Sequence, residues 1–335
     1  MNKVFIIAEI AQAHEGSLGI AHSYIDSLAT CGLDAIKFQT HIAEAESSEY
    51  EMFRVNFSYE DKTRLDYWKR MEFTSEQWRG LAQHCNEKGV EFMSSPFSCT
   101  AVDLLESLNI KRYKIGSGEL QNYLMLEKIA RTGKPIILSS GMSNWQELDE
   151  TIHFIKPFGN DLSLLQCTTA YPTVAGQWGL DQIVEMKKRY GLTTGFSDHS
   201  GKSFVCIAAA AMGAEILEFH VVFDKQMFGP DAKASLTIDE VRYLVQSIRE
   251  LEEEKNTNYD KSNPDKYSAL KIMFGKSLSV NKSLEAGHFL TISDLESKKP
   301  GNKGIPAKEF NQVLGKKLVK EMKQWDFLNY SDILI

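Results

Sequence analysis

The chain has 335 residues, 43% hydrophobic and 25% charged, with a formal net charge of −7. That length suits one large domain plus a small one, and the acidic balance argues against nucleic acid or an anionic membrane as partner. No apolar run approaches the roughly 20 residues that span a bilayer, and the five cysteines are scattered without a CxxC pair, which favours a reducing cytoplasm over a disulfide framework or a zinc ribbon.

The N-terminal stretch MNKVFIIAEIAQAHEGS lacks a full signal-peptide core and a small-residue cleavage site, so 4–10 reads as a first strand. A helical pattern, LGIAHSYIDSLATCG, follows and stops at a glycine. Further strand candidates are 35–40, 90–96, 112–117, 135–140, 162–168, 193–198 and 215–220, most of them continuously apolar in their first half, as parallel strands buried on both faces are. The helices between them carry start and stop signals: Thr74 and Gln77 set up a capping box before a glycine stop, and Asn144 caps the helix that follows the fifth strand. The long second connection, 41–73, is either a functional lid or a surface ornament. Eight strands alternating with helices within about 250 residues predict a (β/α)8 TIM barrel. We place the barrel at 1–252, a polar, turn-rich linker at 253–273 and a small β-rich domain at 274–335.

Active sites of such barrels lie at the C-terminal ends of the strands. Those ends carry Glu9, Gln39, Ser95, Lys114, Ser117, Glu119, Ser139, Thr169, Tyr171, Ser197, His199, Glu218 and His220, whereas the strand starts are mostly apolar. A barrel with only a structural role has little reason for this asymmetry. His199 and His220 close neighbouring strands and should face one mouth, where two neutral imidazoles with open positions suit a catalytic divalent metal; the alternative is that each merely hydrogen-bonds a loop. Lys37 and Lys114 interrupt apolar strands, and lysine is seldom buried unless paired or functional. They suit either an anion site assisted by Ser95, Ser117 and Ser139, or salt bridges within the barrel, for example to Glu9 or Glu119. Cys167 reads as a buried, inert thiol.

The motifs AEIAQAHEGSLG, IKFQTH, SSPFS, YKIGSGE, ILSSGM, QCTTAYPT, GFSDHS, EFH and GPDAKASL occur in the order seen in the sialic acid synthase family, which includes the N-acetylneuraminate, legionaminic and pseudaminic acid synthases. The tail KSLSVNKSLEAGHFLTISDLESKKPGNKGIP resembles that family's antifreeze-like (SAF) domain. The resemblance covers nearly the whole chain. It implies an enzyme that condenses phosphoenolpyruvate with an N-acylmannosamine-type sugar and water, giving a nonulosonic acid and phosphate. It also implies a divalent metal (Mn, or Mg or Co) on His199 and His220. Phosphoenolpyruvate would be held by Lys37, Ser95, Lys114, Ser117, Ser139, Thr169 and Ser197. The sugar would be held by Glu9, Gln39, Tyr171, Asp231 and Lys299, with Glu119 or Glu9 handling the water proton. Lys299 stands where the family has an arginine that reaches the sugar from a partner subunit, so the resemblance implies a domain-swapped homodimer. Phe219, Ala13 and Thr169 also depart from common family residues. The competing reading is a non-catalytic sugar-binding module in polysaccharide assembly, which would have no need of both histidines, both strand lysines and Glu119 together.

Overall fold

The computed structural model describes residues 3–53, 57–257 and 260–334. The chain divides into two compact units, Met1–Thr257 and Asn258–Ile335. In the first, strands and helices alternate: β1 (Phe5–Glu9), α1 (Leu18–Ala29), β2 (Ala35–Thr40), α2 (Ala43–Glu46), α3 (Arg64–Met71), α4 (Ser75–Glu87), β3 (Glu91–Pro96), α5 (Cys99–Ser107), β4 (Tyr113–Ile115), α6 (Tyr123–Ala130) and β5 (Ile136–Ser139). The series continues with α7 (Trp145–Ile155), β6 (Leu162–Cys167), α8 (Asp181–Tyr190), β7 (Thr193–Asp198), α9 (Ser203–Ala211), β8 (Ile216–Val222), a short β9 (Leu236–Thr237) and α10 (Ile238–Asn256). The parallel strands pair in the order β3-β2-β1-β8-β7-β6-β5-β4, with β9 added beside β8. No ladder joins β3 to β4 among the described residues, but Arg112 Nε donates to Glu91 Oε1 across that gap at 2.8 Å. The result is a nearly closed eight-stranded barrel of TIM type, as the alternation predicts.

Local chemistry accounts for the helix starts. Thr74 accepts from the Gln77 amide while Gln77 reaches back to the Thr74 amide, and Asn144 makes the same reciprocal pair with Glu147. The strand bounds lie within two residues of those read from the sequence, and one of these differences is informative. The fourth strand stops at Ile115, and Ser117–Glu119 forms a 3₁₀ turn, so Ser117 and Glu119 stand on a turn above the strand rather than on its end. The segment read as a linker from 253 begins inside α10, which continues to Asn256, and its far end holds α11 (Ser268–Phe274). The second unit adds the antiparallel pair β10 (Ser277–Val280) and β11 (Leu295–Lys298) around a small core that includes Leu278, Val280, Leu290, Val313 and Leu328.

The barrel interior is built in layers. Because side chains alternate across a strand, residues two apart share a face. The lowest layer is apolar: Ile7, Ala35, Met93, Ile137, Leu165 and Ile216 form a small cluster of their own. Gly195 of β7 belongs at this level. A Cβ there would lie 2.3 Å from the Ile216 carbonyl oxygen and 2.6 Å from a Leu165 methyl carbon, so only glycine lets β7 sit so close.

Candidate active site

Two residues further along the same strands, the layer changes character. Ile7 gives way to Glu9, Ala35 to Lys37, Met93 to Ser95, Ile137 to Ser139, Leu165 to Cys167, Gly195 to Ser197 and Ile216 to Glu218. Lys114 of β4 joins them. Two residues higher come Gln39, Phe97, Gly116, Thr169, His199 and His220. All of these line one cavity of about 380 Å³ at the C-terminal end of the barrel. Tyr171, Asp231, Ser117 and Glu119 complete it from the connections above.

The floor is an ionic network almost shut off from solvent. Lys114 Nζ donates to Glu218 Oε1 at 2.9 Å, and Ser197 Oγ donates to the same oxygen at 3.2 Å. Lys37 pairs with Glu9, donates to Ser95 Oγ at 3.2 Å and lies 4.0 Å from Glu218. Burial pushes the Glu218 carboxyl up, but the Lys114 and Lys37 ammonium groups outweigh it and hold the group down at about 2. Burial pulls Lys37 down to about 7 against the attraction of Glu218. The two sequence readings of the lysines thus coexist: both make salt bridges inside the barrel, and both face a cavity. Of the two example partners read from the sequence, Glu9 pairs with Lys37, while Lys114 pairs with Glu218 and Glu119 is bonded to Asn122. Glu218, one of the strand-end residues read from the sequence, pairs with Lys114 in the same layer and lies near Lys37. Ser139 Oγ is buried in the cavity wall with no hydrogen-bond partner among the described residues.

His199 and His220 face each other with ring centroids 5.2 Å apart, and Tyr171 packs on both at 4.1 and 5.8 Å. Burial, then the neighbouring His220, hold His199 down at about 3, so its imidazole is neutral at neutral pH. The contact of its Nδ1 with the Thr168 carbonyl oxygen at 3.0 Å puts the ring proton there and leaves the Nε2 lone pair for another ligand. Asp231 Oδ2 lies 3.9 Å from His220 Nδ1. Among the described residues, no group of three or more His, Cys, Asp and Glu side chains converges for a metal ion. Two facing imidazoles at a cavity wall, that of His199 neutral, fit a site that leaves the remaining positions to water and substrate, as catalytic sites do. Cys167 is buried, its thiol pushed up by that burial, which agrees with an inert role. Glu119 accepts from Asn122 Nδ2 at 2.8 Å; burial, and more weakly the charge of Glu46, push its carboxyl up. That suits a group that exchanges a proton.

Lys299 lies in the second unit, its ammonium 5.0 Å from the centroid of the Phe274 ring. The sequence reading also missed one side of the cavity. His41 is stacked between Trp68 (3.9 Å) and Phe97 (4.5 Å), with Nδ1 2.5 Å from Glu46 Oε1 and Nε2 2.8 Å from Gln12 Nε2. Arg64 lies over Trp68 at 4.1 Å and faces Glu51 at 3.4 Å. His41, Glu46, Glu51, Arg64 and Trp68 belong to the long second connection. The signal that could have found them is the reciprocal Thr63–Asp66 capping box, which starts a helix whose next turn carries Tyr67 and Trp68.

Residues 24–259 match the NeuB family and residues 275–333 the SAF domain. The chain is 33% identical over 330 residues to the N,N'-diacetyllegionaminic acid synthase of Campylobacter jejuni, covering 97% of this chain and 98% of that one. It is 33% identical over 325 residues to the human N-acetylneuraminate-9-phosphate synthase, covering 96% and 90%. Among solved structures it resembles the N-acetylneuraminic acid synthetase of Leptospira borgpetersenii in complex with citrate, with a TM-score of 0.71 and 27% identity over 81% of this chain and 91% of that one. The chain belongs to the NeuB family.

Proposed function

We propose that this NeuB-family chain condenses phosphoenolpyruvate with an N-acylmannosamine-type sugar, adding water and releasing phosphate to give a nonulosonic acid. The observation that carries this reading is the polar layer itself: two lysines, serine hydroxyls and two facing imidazoles in one cavity, built on an apolar layer two residues below. Lys37 and Lys114 supply positive charge for the phosphate and carboxylate of phosphoenolpyruvate, and Ser95, Ser117, Ser139, Ser197 and Thr169 add hydroxyl contacts. The unpartnered Ser139 hydroxyl supports an acceptor-rich ligand at that point. The incoming anion would compete with Glu9 and Glu218 for the lysines, so binding exchanges internal ion pairs for substrate ones.

His199 and His220 would hold a divalent metal such as Mn, Mg or Co, which when bound polarises the aldehyde oxygen of the open-chain sugar. Gln39, Tyr171, Asp231 and Glu9 would orient the sugar so that its aldehyde carbon meets C3 of the enolpyruvate. Positive charge that develops at C2 is met by water, and Glu119, held up by burial, takes the water proton, with Glu9 the alternative. Phosphate then leaves by C–O cleavage, its charge balanced by the two lysines. The resemblance extends to a homodimer in which Lys299 completes the sugar end from a partner subunit; a fully active monomer in sedimentation would argue against it.

The sugar's acyl pattern is the finer question. The names of the relatives span a diacetyllegionaminic acid synthase and a synthase whose product carries a 9-phosphate. The decisive test is consumption of phosphoenolpyruvate and release of phosphate with metal and a panel of N-acylated hexosamines. Turnover with none of them would remove the reading, and turnover with a legionaminic- or pseudaminic-type precursor alone would fix the specificity. Replacing His220 with Ala should abolish metal-dependent turnover. Near-normal activity of that variant, in chelated buffer with metal restored, would contradict the ligand assignment.

A further inference from the structure

The long second connection forms one wall of the cavity through Arg64, Tyr67 and Trp68. Of its buried apolar side chains only Phe73, at its far end, joins the barrel core. Ala43, Tyr67, Trp68 and Met71, with Phe53, Phe57 and Leu65 packed against them, form a separate cluster. A satellite cluster of that size fixes the wall's internal shape but not its seat on the barrel, so other contacts must set the seat. One is aromatic: Trp68 stacks on His41, which stacks in turn on Phe97 after β3, and Phe57 packs against Phe228. The other is a clamp at the end of α3. Arg70 Nη1 donates to Glu15 Oε2 at 2.9 Å, while its Nη2 donates to Asp61 Oδ2 at 2.8 Å, tying the connection to the β1–α1 loop. At the same spot Gly16 has φ +73°, and a Cβ there would lie 2.2 Å from the Arg70 carbonyl oxygen. The ion pair pulls the two segments together, and only glycine at position 16 allows them to come so close.

We infer that Arg70 and Gly16 are positioning residues that seat the α3 wall over the sugar end of the cavity, and that the wall acts on the sugar rather than on phosphoenolpyruvate. The inference rests on the proposed reaction. Its physical basis is the separation of levels. The phosphoenolpyruvate groups are on or just above the strands, inside the barrel, and do not depend on α3. Arg64, Tyr67 and Trp68 come from beyond the end of β2, above that floor. Neither Arg70 nor Gly16 lines the cavity. Their effect must pass through the wall, where displacement by about 1 Å can cost up to about 100-fold.

The test is steady-state kinetics of the full chain with phosphoenolpyruvate, metal and the N-acylated hexosamine it turns over. Gly16→Ala and Arg70→Ala should each raise KM for the sugar about tenfold or more, with KM for phosphoenolpyruvate within about threefold of the parent. Arg70→Lys, which keeps the charge and loses the two-sided fork, should fall between Arg70→Ala and the parent. Unchanged sugar KM in both alanine variants would overturn the inference. So would a parallel rise in both KM values, with a fall in kcat, because that is what general loosening of the barrel predicts. If Gly16→Ala fails to fold, the Arg70 pair carries the test alone. A parent protein that consumes no phosphoenolpyruvate with any such sugar would instead sink the reaction itself, and the inference with it.

Discussion

Replacing Lys114 with Met removes the ammonium group that donates to Glu218 at 2.9 Å and leaves the carboxylate, 5% exposed, in place. The next cation, Lys37, stays 4.0 Å away and is already paired with Glu9. Stranding one partner of a buried ion pair costs about 3–5 kcal/mol, far more than the pair contributes relative to a neutral substitute. For a barrel of this size each kcal/mol moves the melting temperature by about 2–4 °C, so Lys114→Met should melt roughly 10 °C below the parent. Neutralising the stranded group should restore most of the loss, and Lys114→Met/Glu218→Gln should melt well above the single variant. Calorimetry in metal-free, phosphate-free buffer reads both shifts without stabilisation by bound ligand. A single variant that melts within about 1 °C of the parent, or a double variant no better than the single, would show that the floor is hydrated and the ionic argument wrong.

Lys37 is held near 7 by burial, so phosphoenolpyruvate KM should rise as the pH climbs above about 7 and the ammonium is lost; Lys37→Arg, which cannot deprotonate, should flatten that rise, and equal slopes would contradict it. The cavity carries six carboxylates (Glu9, Glu46, Glu51, Glu119, Glu218 and Asp231) against three basic side chains (Lys37, Lys114 and Arg64), and two of these sit on the floor. A sugar phosphate should therefore react at least about tenfold more slowly, in kcat/KM, than the same sugar without phosphate, and the gap should narrow at high salt; preference for the phosphate would make Arg64 its reader. Cys99, partly exposed, should alkylate in the native protein before Cys167, whose thiol is buried and pushed up; rapid modification of Cys167, followed by peptide mapping, would refute its inert role.

Much of this site was readable from alternation alone. A strand such as FIIAE places Ile7 and Glu9 on one face, and the same step from apolar to polar recurs in β2, β3, β5, β6 and β8. That regularity is a property of the backbone pleat, so it survives in the sequence. The fourth strand was overextended because a Gly-rich turn follows it with no break in polarity. Partners were harder. Whether Lys114 meets Glu119 or Glu218 depends on barrel closure, which brings Lys114 to a carboxylate 104 positions further along the chain. The α3 wall was missed for a different reason. Its aromatic side chains pack on one another and on His41, so no barrel periodicity marks them.

The apolar layer of Ile7, Ala35, Met93, Ile137, Leu165 and Ile216 closes the bottom of the chamber as a cork closes a flask. Among the described residues, the cavity lies at the top, above this layer. In the proposed reaction, whatever is bound deepest would then enter before the molecule that lies above it, and would depart only after that molecule has cleared the neck. A vessel of this kind imposes a queue on its reactants without any moving part.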